Sequence, residues 1–225
     1  MNFILQPGEK IPQNKLDQLT SINEKYTQTK DFPKYLNDLK QLFPIKDYPV
    51  TTETKYYLGG FLEGEGSLSV SAKKLKTAKF GILVDPEFTV TQHVNGFETL
   101  YLALKSLQTG RIRHKKGSNA TLVLTIDCRQ NLEQKVVPFY ETYVIPFGSV
   151  EKTERLKKFN KCLAFFNEGV HKDKTKLMQQ MLPLWDEMRR QKGQSNEAFA
   201  NLQEAQNYVR DFKKSRGPSD LDVTL

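Results

Sequence analysis

Cysteine is nearly absent. The 225 residues hold only Cys128 and Cys162, too few for a disulfide framework in a chain this long, so a reducing compartment is expected. Histidine is scarce too: His93, His114 and His171 form no cluster with the cysteines at zinc-ligand spacing, which excludes a zinc site. No uninterrupted apolar run approaches the roughly 20 residues of a membrane span, so no membrane partner is expected. The opening MNFILQPGEK has neither the charged leader and apolar stretch of a signal peptide nor the Arg- and Ser-rich make-up of a transit peptide, and no targeting peptide is visible. With 13 Gly and 10 Pro, collagen and low-complexity repeats are excluded. Acid is in deficit. Against 34 Lys and Arg stand 26 Asp and Glu, a net charge of +8 that favours a polyanionic partner, nucleic acid first.

What is present reads as a folded protein of mixed helix and strand. Helical spacing of Leu16, Leu19, Ile22 and Tyr26, then of Leu36, Leu39 and Leu42, predicts two helices in a helical N-terminal arm over residues 1–50. From Thr52, a plausible N-cap, a third helix runs to Glu63-Gly64-Glu65-Gly66. Strict alternation then predicts strands at 67–73 and 88–92, and two more at 111–115 and 121–126 joined by the turn Lys116-Gly117-Ser118-Asn119. Between the strand pairs, Asn95 and Glu98 have capping-box spacing at the head of a helix that Gly110 ends. Helical patterns fill 130–143, 151–167, 173–190 and 196–213, and the tail beyond is expected to fray. The chain divides into the arm, a core over 51–170, a C-terminal helical extension over 171–214 and a frayed tail over 215–225, all in one folded unit.

The positive charge is concentrated. Residues 67–125 carry nine basic side chains against three acids, Asp85, Glu87 and Glu98. On the strands the basic residues share a face with Ser67, Ser69, Ser71, Thr89, Thr91, Gln92, Thr121 and Thr125, while Leu68, Val70, Phe88, Val90, Leu122 and Leu124 point the other way. An antiparallel sheet with such a face fits a DNA major groove. No aromatic side chain interleaves with the cations, which argues against single-stranded RNA stacking.

The segment Leu58-Gly59-Gly60-Phe61-Leu62-Glu63-Gly64-Glu65-Gly66 is costly for a helix, because an interior Gly loses about 1 kcal/mol relative to Ala. Adjacent glycines would let two helix backbones approach closely. On spacing alone the two acids fit two readings, a helix end with two solvated carboxylates or a carboxylate holding Mg²⁺ against a phosphate. The segment resembles the signature of the LAGLIDADG homing endonucleases, with acids at both expected positions and glycine at the last. Phe88 to Gln92 and Gly110 to Arg113 fall where that family places DNA-reading strands. The similarity extends over nearly all 225 residues to a homodimeric member encoded in a chloroplast large-subunit rRNA intron.

The resemblance implies an α+β fold, αββαββα, with an antiparallel saddle-shaped DNA-binding sheet and extra helices at both ends. One motif and no internal repeat imply a homodimer, its interface at Leu58, Gly59, Gly60, Leu62 and Glu63. Implied metal ligands are Glu65, where most relatives carry Asp, and the carbonyl of Gly64, with Mg²⁺ as cofactor; Mn²⁺ or Ca²⁺ could occupy the same place, and no small-molecule cofactor is implied. Implied catalytic residues are Glu65, Gln92 to position the attacking water, Arg113 near the scissile phosphate, and Lys152. Glu63 is assigned to supporting the helix junction. Double-stranded DNA is the implied partner, contacted from Ser67, Ser69, Ser71, Lys73, Lys74, Lys76, Glu87, Thr89, Thr91, Arg111, Arg113, Lys115, Lys116, Asn119, Thr121, Val123 and Thr125. The implied activity is a site-specific double-strand break with short 3′ overhangs in a long pseudo-palindromic target in an intronless rRNA gene, promoting intron homing, in the chloroplast. An RNA maturase and a cleavage-dead DNA-binding regulator on the same scaffold are the alternatives. The presence of Glu65 disfavours the regulator.

Overall fold

The structure, a computed structural model, describes residues 3–189 and 198–213. The expected ends of two helices at 190 and 196, and the expected frayed tail, lie outside the described residues. Four strands, β1 (Gly66–Lys74), β2 (Ile82–His93), β3 (Arg111–His114) and β4 (Thr121–Ile126), form one sheet in the order β1-β2-β4-β3. The α-helices preceding β3 are α1 (Gln13–Thr29), α2 (Phe32–Leu42), α3 (Thr52–Glu65) and α4 (Phe97–Leu107). After β4 come a helical run over 129–147, here α5, then α6 (Val150–Asn167), α7 over 174–188 and α8 (Leu202–Asp211). The motif helix, two strands, helix, two strands and helix thus stand in the expected αββαββα order. No described helix is long and apolar enough to cross a membrane.

Contacts divide the chain into two compact units. The first comprises residues 1–68 and 87–157, the second 69–86 and 158–225. In the first, Phe88, Val90, Ile112, Leu122, Leu124 and Ile126 form the buried side of the strands, and α4 adds Phe97, Leu100, Leu104 and Leu107. Helix α5 buries Leu132, Val136, Tyr140 and Val144. A spacing of four would drift around a helix of 3.6 residues per turn, and the run absorbs it with two wide π segments, Leu132–Val136 and Tyr140–Val144. In the second unit Trp185 is core, edge-on to Phe199, which also packs against Tyr208 of α8.

Several helix ends differ from the sequence reading. The N-cap of α3 is Thr51, one residue earlier, in a reciprocal pair: its hydroxyl accepts from the Thr54 N–H while the Thr54 hydroxyl accepts from the Thr51 N–H. Asn95 and Glu98 cap nothing at α4. The Asn95 amide is bonded both ways to the backbone of Leu5, and Glu98 accepts from the Lys46 N–H, so both side chains close on the arm. Helix α4 ends in a left-handed residue at Gln108, φ 51°, two residues before Gly110.

Candidate active site and nucleic-acid face

The site is built where α3 stops. Glu65 is its last residue and Gly66 the first of β1, so the carbonyls of the final turn, Gly64 among them, have no succeeding helical N–H to receive them. Gly64 and Glu65 are exposed, and the Glu65 carboxylate has no hydrogen bond or ion pair among the described residues. A free carboxylate beside a backbone carbonyl is a donor set of hard oxygens, which fits Mg²⁺. Among the described residues no three His, Cys, Asp or Glu side chains gather into a metal cage.

Beneath this turn the structure is locked by α6. Lys152 is buried, and its ammonium donates to the carbonyls of Gly66 at 2.8 Å and Leu62 at 3.4 Å. A cation there also complements the negative end of α3. Ser149 caps α6 by accepting from the Lys152 N–H, and the Ser149 N–H in turn donates to Glu63 at 3.0 Å. Glu63 thereby links the end of α3 to the start of α6. Arg155 donates to the Leu68 carbonyl at 2.6 Å, holding the start of β1. Sequence reasoning missed Tyr140: a Cβ at residue 66 would stand 2.3 Å from its buried hydroxyl and 2.6 Å from the Leu62 carbonyl oxygen, which is why the motif ends in glycine. Burial, with the Glu63 carboxylate nearby, pushes that phenol well above its usual range.

Gln92 does not share the polar face. Residues 87, 89, 91 and 93 lie on one side of β2 and 88, 90 and 92 on the other, since side chains alternate with a period of two. Gln92 pairs across from Leu122 on the buried side, half-buried at the strand end, where its amide oxygen accepts from the next N–H and its side chain lies against Gly96. His93, exposed, is the last residue of β2 on the polar side. Arg113 is exposed on β3 in register with Val123 of β4 and Thr91 beyond it, and Arg111 with Thr125 and Thr89. Lys115 continues the row beside Thr121, and Lys116 and Asn119 stand in the turn. Ser67 is exposed at the head of β1. In the second unit Ser69, Ser71 and Lys73 follow on the polar side of β1, with Lys73 paired to Asp85 at 2.8 Å; Lys76 is exposed in the hairpin loop. Lys74 departs from the expectation. It has the parity of Ala72, and its ammonium lies 5.0 Å from the Phe199 ring centre and 5.4 Å from that of Tyr208, away from the polar side.

The expected dimer residues also separate into two groups. Leu58 and Leu62 are fully buried in the chain's own core, and a Cβ on Gly59 would meet the Tyr143 carbonyl of α5 at 2.0 Å. That glycine serves packing within the chain. Of the expected interface residues, Gly60 lies on the open face of α3; Gly64, assigned to the metal rather than to the interface, is one helical turn further on, and a Cβ at either position would meet nothing within 4 Å. Exposed apolar side chains lie beside Gly60: Tyr57, one turn earlier on α3, is 61% exposed, and Phe147, which lines a groove with Gly60, is 79% exposed.

A helix ending in an exposed carboxylate and leading into a cationic antiparallel sheet fits a nuclease, and residues 58–163 match the LAGLIDADG endonuclease family. The chain belongs to that family. The DNA endonuclease I-CeuI of Chlamydomonas moewusii is 59% identical over 213 residues, covering 95% of this chain and 98% of the relative. The solved group I intron-encoded homing endonuclease I-CeuI complexed with DNA superposes with a TM-score of 0.90 at 58% identity, over 92% of this chain and 100% of that one. The archaeal intron-encoded homing endonuclease I-Vdi141I, also complexed with DNA, gives 0.61 at 26% identity over 70% and 95%. Members of this family depend in general on a divalent metal.

Proposed function

We propose that the protein is a site-specific DNA endonuclease that acts as a homodimer and makes a Mg²⁺-dependent double-strand break with short 3′ overhangs. The observation that carries this is the unpaired Glu65 carboxylate at the motif's end, beside a strand face of Thr89, Thr91, Arg111, Arg113, Thr121 and Thr125. A long pseudo-palindromic target in an intronless rRNA gene, a role in intron homing and a plastid location follow from the resemblance in sequence.

Glu65 and the Gly64 carbonyl would hold the metal. When bound, the metal lowers the pKa of a water and neutralises charge on the phosphate and the departing oxygen. Water oxygen adds to phosphorus as the bond to the 3′ oxygen breaks, leaving a 5′-phosphate and a 3′-hydroxyl that takes up the proton. Gln92 orients the water from the strand end, and Arg113 contacts the phosphate. Lys152, committed to the carbonyls of Gly66 and Leu62, positions the motif turn and is a positioning residue. Each chain supplies one such acid, so cutting both strands takes two. Partner packing is assigned to the face of Gly60 and Gly64 with Tyr57 and Phe147, where the small residues let two helices approach closely.

The test is cleavage of a plasmid carrying an intronless large-subunit rRNA gene segment, with Mg²⁺ and with EDTA, by the wild type and Glu65→Gln. A single metal-dependent cut, reduced by about 100-fold or more in the variant while gel-shift binding persists, is expected. Tight binding with no cut under any divalent metal overturns the nuclease reading.

A further inference from the structure

Strand β3 is one of the two outer strands of the sheet, and an open strand edge exposes unpaired N–H and C=O groups. Here the arm closes it. Asn23 of α1 donates to the Ile112 carbonyl at 3.0 Å, and the Tyr35 hydroxyl of α2 accepts from the Ile112 N–H at 2.9 Å while donating to Asn23 at 3.0 Å. All three residues are buried, and the Ile11 N–H is bonded to the Asn119 carbonyl at the other end of α1. Helix α1 is thus fixed beside the cationic face.

Two grooves flank this junction. One of about 610 Å³ runs along α1 past Thr20, Glu24 and Thr27, with Arg111, Arg113 and His114 opposite. The other, about 290 Å³, lies at the end of α1 between Lys30 and Arg111, with Asp127 at its wall. Neither guanidinium is paired with a carboxylate among the described residues, although Glu24 and Asp127 stand in the walls. Arg111 lies 5.8 Å from the Tyr26 ring centre of α1, which supports the guanidinium without neutralising it. The Nε2 atom of His114 is buried with no hydrogen-bond partner. Guanidinium groups without a carboxylate partner, facing a helix side that carries Thr20 and Thr27, suit a chain of phosphates.

We propose that α1 is a second wall of the nucleic-acid face, and that the groove between α1 and β3 takes one sugar–phosphate strand of duplex DNA, with Arg111 and Lys30 on its phosphates. This rests on the DNA-binding reading above and extends the contact surface from the strands to the arm.

The test measures affinity of the full-length protein for a 40-bp duplex of arbitrary sequence in EDTA, across a salt series, for the wild type, Lys30→Glu, Thr27→Glu and Lys34→Glu. Lys34, exposed on α2 and outside both grooves, is the charge-matched control. Lys30→Glu and Thr27→Glu are expected to weaken binding about tenfold, and Lys30→Ala to lower the salt slope by about 0.9 for each phosphate that the lysine neutralises. Lys34→Glu should bind as the wild type does. Equal losses in Lys30→Glu and Lys34→Glu, or no change in any variant, overturn the groove while leaving DNA binding intact. A wild type that fails to bind duplex even at low salt overturns the DNA reading itself. Thermal melting of each variant confirms that it is folded, and a variant that has unfolded is replaced in the comparison by Lys30→Ala.

Discussion

At the scale of single residues, the two cysteines show how position sets chemistry. Cys128 is exposed, whereas Cys162 of α6 is buried and its thiol is pushed up to about 12 by burial. A thiol whose folded pKa is raised contributes stability that is complete below the ordinary thiol range and is lost as pH rises toward 12, because the unfolded chain ionises first. A chromogenic disulfide reagent at pH 8 should therefore titrate one thiol per native chain and two in denaturant. Two fast-reacting thiols in the native protein would contradict the burial of Cys162. Burial of this kind comes from neighbours far along the chain, so composition could count the cysteines without telling them apart.

At the scale of elements, the motif helix divides its glycines between two tasks. Gly59→Ala puts a methyl group 2.0 Å from the Tyr143 carbonyl, and separating α3 from α5 should cost about 1–3 kcal/mol, more than the gain of about 1 kcal/mol in helix propensity. Gly60→Ala meets nothing within 4 Å, so the isolated chain should be as stable as the wild type or slightly more so. Denaturant midpoints taken at low protein concentration, where partner packing contributes least, separate the two. A Gly59→Ala chain that unfolds no earlier than Gly60→Ala would show that α3 and α5 are not packed this closely. The two positions are adjacent in the sequence and look equivalent there. Their difference is one of angular position around α3, which becomes meaningful only once α5 is in place.

At the scale of the whole molecule, Tyr57 and Phe147 are exposed apolar side chains beside Gly60, and the proposed dimer places a second chain over them. Tyr57→Asp places a charge there on a side chain that is 61% exposed, so its effect on the fold should stay within about 0.5 kcal/mol. Sedimentation equilibrium should find it shifted toward monomer, with double-strand cleavage falling in proportion. A fully dimeric, fully active Tyr57→Asp enzyme would move the interface elsewhere.

The order of helices and strands, the alternating polar face and the motif turn were legible along the chain, because each rests on local period or on residue type: serine and threonine at every second position, glycine and acid at a helix end. Gln92 shows the limit of such reading, since a count of two along β2 already removes it from the face shared by Thr89 and Thr91. The caps at Asn95 and Glu98 could not be read locally, because those side chains are taken by Leu5 and Lys46, 90 and 52 residues away. Lys74 belonged with the other cations until α8 and Phe199 supplied rings for it to rest on. The Lys152 bonds to the motif carbonyls, the Glu63 tie to Ser149 and the closure of β3 by Asn23 and Tyr35 likewise join residues 77–90 positions apart. Local sequence sets which conformations are cheap. Which polar groups are left without water, and so must find each other, is set only when distant segments pack.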